Sequence, residues 1–167
     1  MLDLNGKNTL LKNTVVIVSC FSEYTDSGVW RAFCEKLPFD VIGLTTIENI
    51  VGGEVGETML TVMVLTSDDI AFSVTVSDAV TVEDAAPFEA LYAAATADHA
   101  DIPALMMSFA PLLTGVGSDF YVDTMTKISG NVPNFGSLAV DRNSDYHDSK
   151  VMLNGDSWID RFAILLF

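Results

Sequence analysis

The pattern of apolar and polar positions predicts a strand, a helix and a second strand at the start of the chain. Residues 14–21 form a β-branched apolar run, which is typical of a strand buried on both faces. An apolar stripe at helical spacing follows, formed by Trp30, Phe33, Cys34 and Leu37. Residues 39–43 indicate a second strand, so these elements predict a βαβ unit with parallel strands.

The middle of the chain predicts an antiparallel hairpin. Residues 58–66 and 70–77 are two apolar-rich runs separated by turn residues at 67–69. In the second run apolar residues alternate with small or polar ones, which is typical of a strand with one dry and one wetter face. We therefore expect the two runs to pair with each other.

Two helix and strand units follow. A helix that starts at Thr81 or Asp84 precedes an apolar strand at residues 104–109, and a helix capped by Ser118 precedes a strand that begins at Val132. The first helix accommodates a proline in its first turn, where a missing N–H costs no helical hydrogen bond. Both helices carry one apolar face and are expected to pack against a sheet.

The tail predicts a second hairpin, in which residues 150–153 and 158–167 flank the turn dipeptide Asn154-Gly155. The fold class is therefore α/β, with mixed β-sheets, flanking helices and the element order βαβ-ββ-αβ-αβ-ββ. One domain is expected to span residues 1–167. Because the chain stops inside the apolar run 162–167, we expect a companion domain to follow it or a partner to cover this strand.

The charge distribution excludes several classes of partner. The net charge is −15, and no Lys or Arg occurs between Leu37 and Thr126. Nucleic acid and anionic membrane surfaces need clustered basic residues, so neither is an expected partner. No apolar stretch approaches the length that a membrane span needs. The two cysteines, Cys20 and Cys34, follow no signal sequence and form no disulfide pattern, which predicts a cytoplasmic location.

Motifs for catalysis are absent from the sequence. It contains no glycine-rich nucleotide loop, no Walker motif and no Gly-x-Ser-x-Gly elbow. Residues 141–148 hold three carboxylates and His147, but such a cluster between strands is typical of a solvated loop, apart from Asp141. His99 is expected to favour a helix C-terminus electrostatically. We expect no catalytic residue, no metal ligand and no cofactor, and hence no enzyme.

Two segments place a glycine and hydroxyl residues just beyond a predicted strand, at residues 42–48 and 135–141. In α/β sheets small polar ligands bind at that edge, because free backbone N–H groups and short side chains converge there. The alternative is that the two glycines simply make turns. The predicted ligand-binding set is Gly43, Thr45, Thr46, Gly136, Ser137 and Asp141.

Three segments resemble the FIST N-terminal domain family. Residues 41–46 read Val-Ile-Gly-Leu-Thr-Thr, residues 132–141 read Val-Pro-Asn-Phe-Gly-Ser-Leu-Ala-Val-Asp, and the tail is similar to the closing hairpin of that family. The match in order and spacing runs from about residue 14 to residue 167. The sequence departs from the family where Ile47 and Glu48 replace a small residue and a glycine, and where Ser137 replaces the second glycine of a pair.

The resemblance implies a sensory domain inside bacterial cells that binds small ligands such as amino acids. It also implies a C-terminal FIST domain and a signalling output module as partners. In this hypothesis Asp141 holds an ammonium group, and the glycine and threonine N–H groups hold a carboxylate. Two alternatives stay open. One is a hydrolase or metal-assisted enzyme that uses Ser137, His147 and nearby acids, and the other is an interaction scaffold, such as a homodimer, whose last strand pairs with another chain.

Overall fold

The computed structural model describes residues 10–56, 59–81, 83–97, 101–143 and 145–167. His99 lies outside these described residues. In chain order the described elements are β1 (Asn13–Cys20), α1 (Ser22–Asp26), α2 (Val29–Cys34), β2 (Asp40–Thr45), β3 (Asn49–Val51), β4 (Glu54–Gly56), β5 (Thr61–Ser67), β6 (Ser73–Ala79), α3 (Ala86–Thr96), β7 (Met106–Ala110), α4 (Ser118–Ile128), β8 (Asn134–Leu138), β9 (Val151–Leu153), β10 (Asp156–Trp158) and β11 (Arg161–Leu166).

The strands form two main sheets and a short ribbon. A five-stranded sheet has the order β10-β9-β2-β1-β5, a four-stranded sheet has the order β6-β11-β7-β8, and β3 pairs with β4. Within these sheets β1 and β2 run parallel, as do β7 and β8, and the other pairs are antiparallel. The predicted α/β class with mixed sheets and flanking helices is confirmed, as is the parallel βαβ unit at the start.

The two sheets pack face to face, and helices cover their outer faces. The core between the sheets is formed by buried side chains from both, namely Val15, Ile42, Leu44, Phe109, Ala139, Val151, Ala163 and Leu165. Helix α2 covers the five-stranded sheet through Trp30 and Cys34. Helices α3 and α4 cover the four-stranded sheet through Phe88, Leu91 and Met125. The result is a four-layer arrangement of helix, sheet, sheet and helix.

Strand β11 lies in the middle of the four-stranded sheet and is buried on both faces. Phe162, Ile164 and Leu166 point to the helix layer, whereas Ala163 and Leu165 point to the other sheet. This position accounts for the apolar sequence at the end of the chain. Both edges of β11 are paired, one with β6 and the other with β7. The hypothesis that the last strand adds to another chain is therefore wrong, whereas a homodimer stays a prediction.

The predicted hairpin in the middle of the chain is also wrong. Strand β5 pairs with β1 in one sheet, and β6 pairs with β11 in the other. The hydroxyl of Ser67 accepts the N–H groups of Asp69 and Ile70 and turns the chain at the end of β5. Residues 68–72 then cross the distance between the packed sheets, which is about 10 Å in such structures. Alternation along each strand predicted the strands but not their partners.

The tail hairpin is only partly as predicted. Asn154 and Gly155 form the turn between β9 and β10, with φ of 50° and 94°, as a tight hairpin turn requires. Val41 donates its N–H to the Asn154 side chain at 2.8 Å, which ties this turn to β2. Strand β10 ends at Trp158, however, and the residues after it cross to the other sheet as β11.

Smaller differences concern the helices and the ribbon. The predicted helix with the Trp30 stripe corresponds to α2, whose N-cap is Gly28 with a φ of 78°. Helix α1, which precedes it, was not predicted. Ser118 is the first residue of α4, and Gly117 is its N-cap. The ribbon of β3 and β4 turns at Gly52 and Gly53, both with positive φ. The sequence did not predict this ribbon, because three-residue strands carry little pattern.

We predict that Gly43→Ala destabilises the fold. Gly43 pairs with Val18 inside the five-stranded sheet, and a Cβ atom on Gly43 would overlap the carbonyl oxygen of Val18. Relieving such an overlap in a packed interior costs about 1–3 kcal/mol. Urea unfolding measures this loss. The control is Gly52→Asn, which has a φ of 61° and open space around it, and should change stability by less than about 0.5 kcal/mol. Equal stability of Gly43→Ala and wild type would contradict the packing.

Candidate functional site

The first predicted segment lies at the end of β2 and is mostly buried. Gly43 is a residue of β2 itself, so the prediction that it lies beyond a strand is wrong. Thr45 ends the strand, and its buried hydroxyl accepts the N–H of Lys150 at 2.8 Å. The next residue, Thr46, donates its N–H to the carbonyl of Cys20 at 2.8 Å. It also donates its hydroxyl to the carbonyl of Glu48 at 3.0 Å. The side chains of Thr45 and Thr46 thus make hydrogen bonds within the protein.

The second predicted segment is divided between a strand and a loop. Gly136 and Ser137 are exposed residues inside β8, which is an edge strand of its sheet. Asp141 is only 1% exposed, and its carboxylate accepts hydrogen bonds from the backbone N–H groups of Asn143 and Asp148, each at 2.6 Å. It also accepts the hydroxyl of Ser149 at 3.2 Å. Asp141 therefore stabilises its own loop.

One backbone hydrogen bond joins the two segments. Val140 donates its N–H to the carbonyl of Thr45 at 3.0 Å, so the chain after β8 meets the end of β2. Thr45 and Asp141 both bind the stretch 149–150, but both side chains are buried. Gly136 and Ser137 belong to the other sheet. The six residues therefore do not line a single recess, and ligand contact by them stays a prediction.

A concave site lies where α4 packs beside β8, and we call it the α4–β8 groove. Its volume is about 110 Å³. The lining comes from α4, β7, β8 and one residue of β11, namely Ser108, Ala110, Ser118, Tyr121, Val122, Asn134, Phe135, Gly136, Ser137, Leu138 and Phe162. Two of the six predicted residues, Gly136 and Ser137, lie in this groove.

Small residues on the sheet create the space beneath α4. Ser108 and Ala110 of β7 and Gly136 of β8 form part of the lining. A side chain at Gly136 is excluded, because its Cβ would overlap the carbonyl oxygen of Ser108. Elsewhere the same helix layer rests on large side chains such as Met106 and Ile164. The groove is therefore a consequence of residue size along two neighbouring strands.

The groove is mostly apolar, and its lining residues include hydroxyls and an amide but no charged side chain. Ser108 donates its hydroxyl to the side-chain oxygen of Asn134 at 2.7 Å. The hydroxyl of Tyr121 is different, because it is buried and has no hydrogen-bond partner among the described residues. Burial raises the pKa of this phenol to about 12, so it keeps its proton at neutral pH. Tyr121 thus lines the groove, but its hydroxyl is buried and unsatisfied.

The sequence did not identify Tyr121 as a lining residue of the groove. It belongs to the apolar stripe of α4, and its ring stacks on Phe162 with 5.5 Å between centroids and 22° between planes. A tyrosine at such a position is usually core. The small residues Ser108 of β7 and Gly136 of β8 line the same groove, but which strands lie under α4 follows only from the topology.

A comparison with protein families matches the FIST N domain over residues 14–167. The chain belongs to the FIST N domain family. This confirms the resemblance seen in the sequence, and the family consists of sensory domains of signal transduction. A comparison with curated proteins finds no match. None of the helices in the described part of this FIST N domain has the length and apolar character to cross a membrane.

The geometry of this FIST N domain does not support the proposed hydrolase or metal site. The His147 side chain is 79% exposed, and its Nε2 lies 3.5 Å from Asp145. Ser137 donates its hydroxyl to the Leu138 carbonyl at 3.3 Å. Among the described residues no cluster of three or more His, Cys, Asp or Glu side chains has the arrangement to hold a metal ion. A serine nucleophile would need a base within hydrogen-bond reach.

The two cysteines of the FIST N domain lie in the core between α2 and the five-stranded sheet, with Cys34 at the end of α2 and Cys20 at the end of β1. Both are free thiols, and both are buried. Burial raises the pKa of Cys20 to about 12 and that of Cys34 to about 11. The reactive thiolate is therefore scarce at neutral pH. This environment is that of small core residues.

We predict that Asp141→Asn destabilises the FIST N domain by about 1–3 kcal/mol. An amide has only one acceptor oxygen, so the substitution leaves one of the buried N–H groups of the loop unsatisfied. Thermal or urea unfolding measures the loss. Asp145→Asn, on the exposed part of the same loop, is the matched control and should stay within about 0.5 kcal/mol of wild type. A neutral Asp141→Asn would show that the carboxylate does not hold this loop.

We also predict that neither thiol reacts in the native protein. At neutral pH an aromatic disulfide reagent should label no cysteine in native protein and both Cys20 and Cys34 in guanidinium, because labelling requires unfolding. The absorbance of the released thiolate measures both. Rapid stoichiometric labelling of either thiol in native protein would contradict the burial of these residues.

Proposed function

We propose that this FIST N domain is the input domain of a bacterial signalling protein in the cytoplasm and that it binds a small molecule in the α4–β8 groove. The observation that carries the proposal is the mostly apolar groove itself, whose lining includes Gly136 and Ser137 of the predicted ligand-binding set. Concave, mainly apolar sites with a few polar groups are where proteins bind small molecules.

The position of the groove suggests how binding produces a signal. A ligand there would contact Tyr121 and Val122 of α4 on one side and Gly136 of β8 on the other. Helix α4 also packs on α3 through the edge-to-face contact of Phe88 and Phe120. A ligand that favours one position of α4 would shift the population of domain conformations. We propose that a C-terminal FIST domain and an output module receive this shift.

The proposal gives the six predicted residues two different roles. Gly136 and Ser137 would line the ligand site, since both are part of the groove. Thr45 and Asp141 would hold the loop after β8 through their buried hydrogen bonds. An amino acid would bring two charges to a groove whose lining residues include no charged side chain, which is unfavourable. Amino acids are therefore one arm of the test and not the preferred ligands.

The test is a thermal-shift and calorimetric screen of small metabolites, amino acids included, against three proteins. Val122→Trp should block the groove from α4, because Val122 is an exposed part of its lining. Asp123→Trp is the control, since Asp123 is exposed on the same helix and is not part of the lining. We expect ligands to bind wild type and Asp123→Trp, and Val122→Trp to weaken binding at least about tenfold. No binding by any metabolite, or equal binding by all three proteins, would contradict the proposal.

A further inference from the structure

We propose that strand β5 is a dimer interface, at which the free edges of β5 from two copies of this chain pair antiparallel. Strand β5 is the last strand of the five-stranded sheet and pairs on one side only, with β1. Among the described residues, no backbone group makes a hydrogen bond to the other edge of β5. Each copy therefore offers a row of unpaired N–H and C=O groups, which is a template for another strand.

The other three outer strands of the two sheets have features that protect an edge, whereas β5 has none. Natural proteins protect edges with short strands, charges, prolines and bulges. Strand β10 has three residues and includes the ion-paired Asp156, β6 carries the exposed Asp78 and pairs with β11 through a bulge, and Pro133 directly precedes β8. Strand β5 has seven residues, with no charge and no proline, and its pairing with β1 is uninterrupted. This edge is therefore suited to pairing.

Apolar side chains along β5 are partly uncovered on both faces of the sheet. Val62 is 37% exposed and Met63 is 54% exposed. Val64 lies on the α2 side and Leu65 on the side of the other sheet, and each is only partly buried. A second β5 would place an equivalent row beside each of these rows, because paired antiparallel strands keep side chains of one face together. Pairing would thus remove apolar surface from water.

The charge distribution favours a second copy of this chain over a partner of opposite charge. The net charge is −15, so most contacts between two copies would bring like charges together. Strand β5 carries no charged side chain, so it gives a basic partner no carboxylate to bind and gives a second copy no charge to repel. Antiparallel pairing about a two-fold axis needs only the same edge on both sides. The edge of β5 is thus complementary to itself.

The ribbon of β3 and β4 adds apolar surface close to β5. The Asn49 side chain donates to the carbonyl of Met59 at 2.7 Å, which attaches the ribbon just ahead of β5. On the ribbon Ile50, Val51 and Val55 are all exposed. The edge of a single strand is nevertheless small for a permanent interface. We therefore expect a reversible dimer whose population rises with protein concentration.

The experiment measures the mass of three proteins by sedimentation equilibrium over a wide range of concentration. Met63→Lys places a charge on the edge, and the half-exposed position lets the lysine reach water in the monomer. Because this substitution lowers the net negative charge, a weaker dimer cannot result from overall repulsion. Ile159→Lys is the control, since Ile159 is 51% exposed and follows β10 at the opposite edge of the sheet. Wild type and Ile159→Lys should dimerise, and Met63→Lys should raise the dissociation constant at least about tenfold.

Hydrogen exchange of the wild type tests the same interface without a substitution. Amides on the outer edge of β5 should exchange more slowly as the concentration rises, because pairing gives them acceptors, whereas the amides of β10 should not change. A wild type that stays monomeric at every concentration would overturn the inference. A dimer that both variants weaken equally, or that neither weakens, would also overturn it. So would masses that grow beyond a dimer, because two-fold pairing of β5 closes after two copies.

Discussion

The burial of β11 on both faces and along both edges is the constraint on which the other layers depend. Its alternating side chains contribute Phe162 and Ile164 to the helix layer and Leu165 to the core between the sheets. A bulge after Arg161 is accommodated because the buried Ser77 hydroxyl accepts the N–H of Phe162 at 3.0 Å. The side chains of β11 therefore set two distances, one from the four-stranded sheet to the helices and one from this sheet to the five-stranded sheet.

The two parallel strand pairs show why a groove opens beside one pair and not beside the other. In each pair the second strand has a glycine whose Cβ would overlap a carbonyl oxygen of the first, at Gly43 in β2 and Gly136 in β8. In the five-stranded sheet the Met152 side chain lies over Gly43 and is fully buried. In the four-stranded sheet Gly136 lies on an edge strand beside α4, and the space remains open as the groove.

The sequence predicted the elements of the fold better than their partners. Apolar alternation identified the long strands, and the Asn154-Gly155 turn was identified by its conformational requirement. The prediction that β5 pairs with β6 failed for a physical reason. Period-two alternation shows which face of a strand is buried and contains no information on the neighbouring strand. Asp141 was expected to face a ligand, whereas its oxygens bind backbone groups two and seven residues further along. Tyr121 lies on the apolar face of α4, and this pattern indicated only a core residue.

The central claim is our proposal that the α4–β8 groove is where this FIST N domain binds its ligand. The most direct measurement is a crystallographic fragment screen of the protein. The account predicts that bound fragments concentrate in the groove, in contact with Val122 of α4 and Gly136 of β8. Fragments that bind repeatedly elsewhere while the groove stays unoccupied would contradict it.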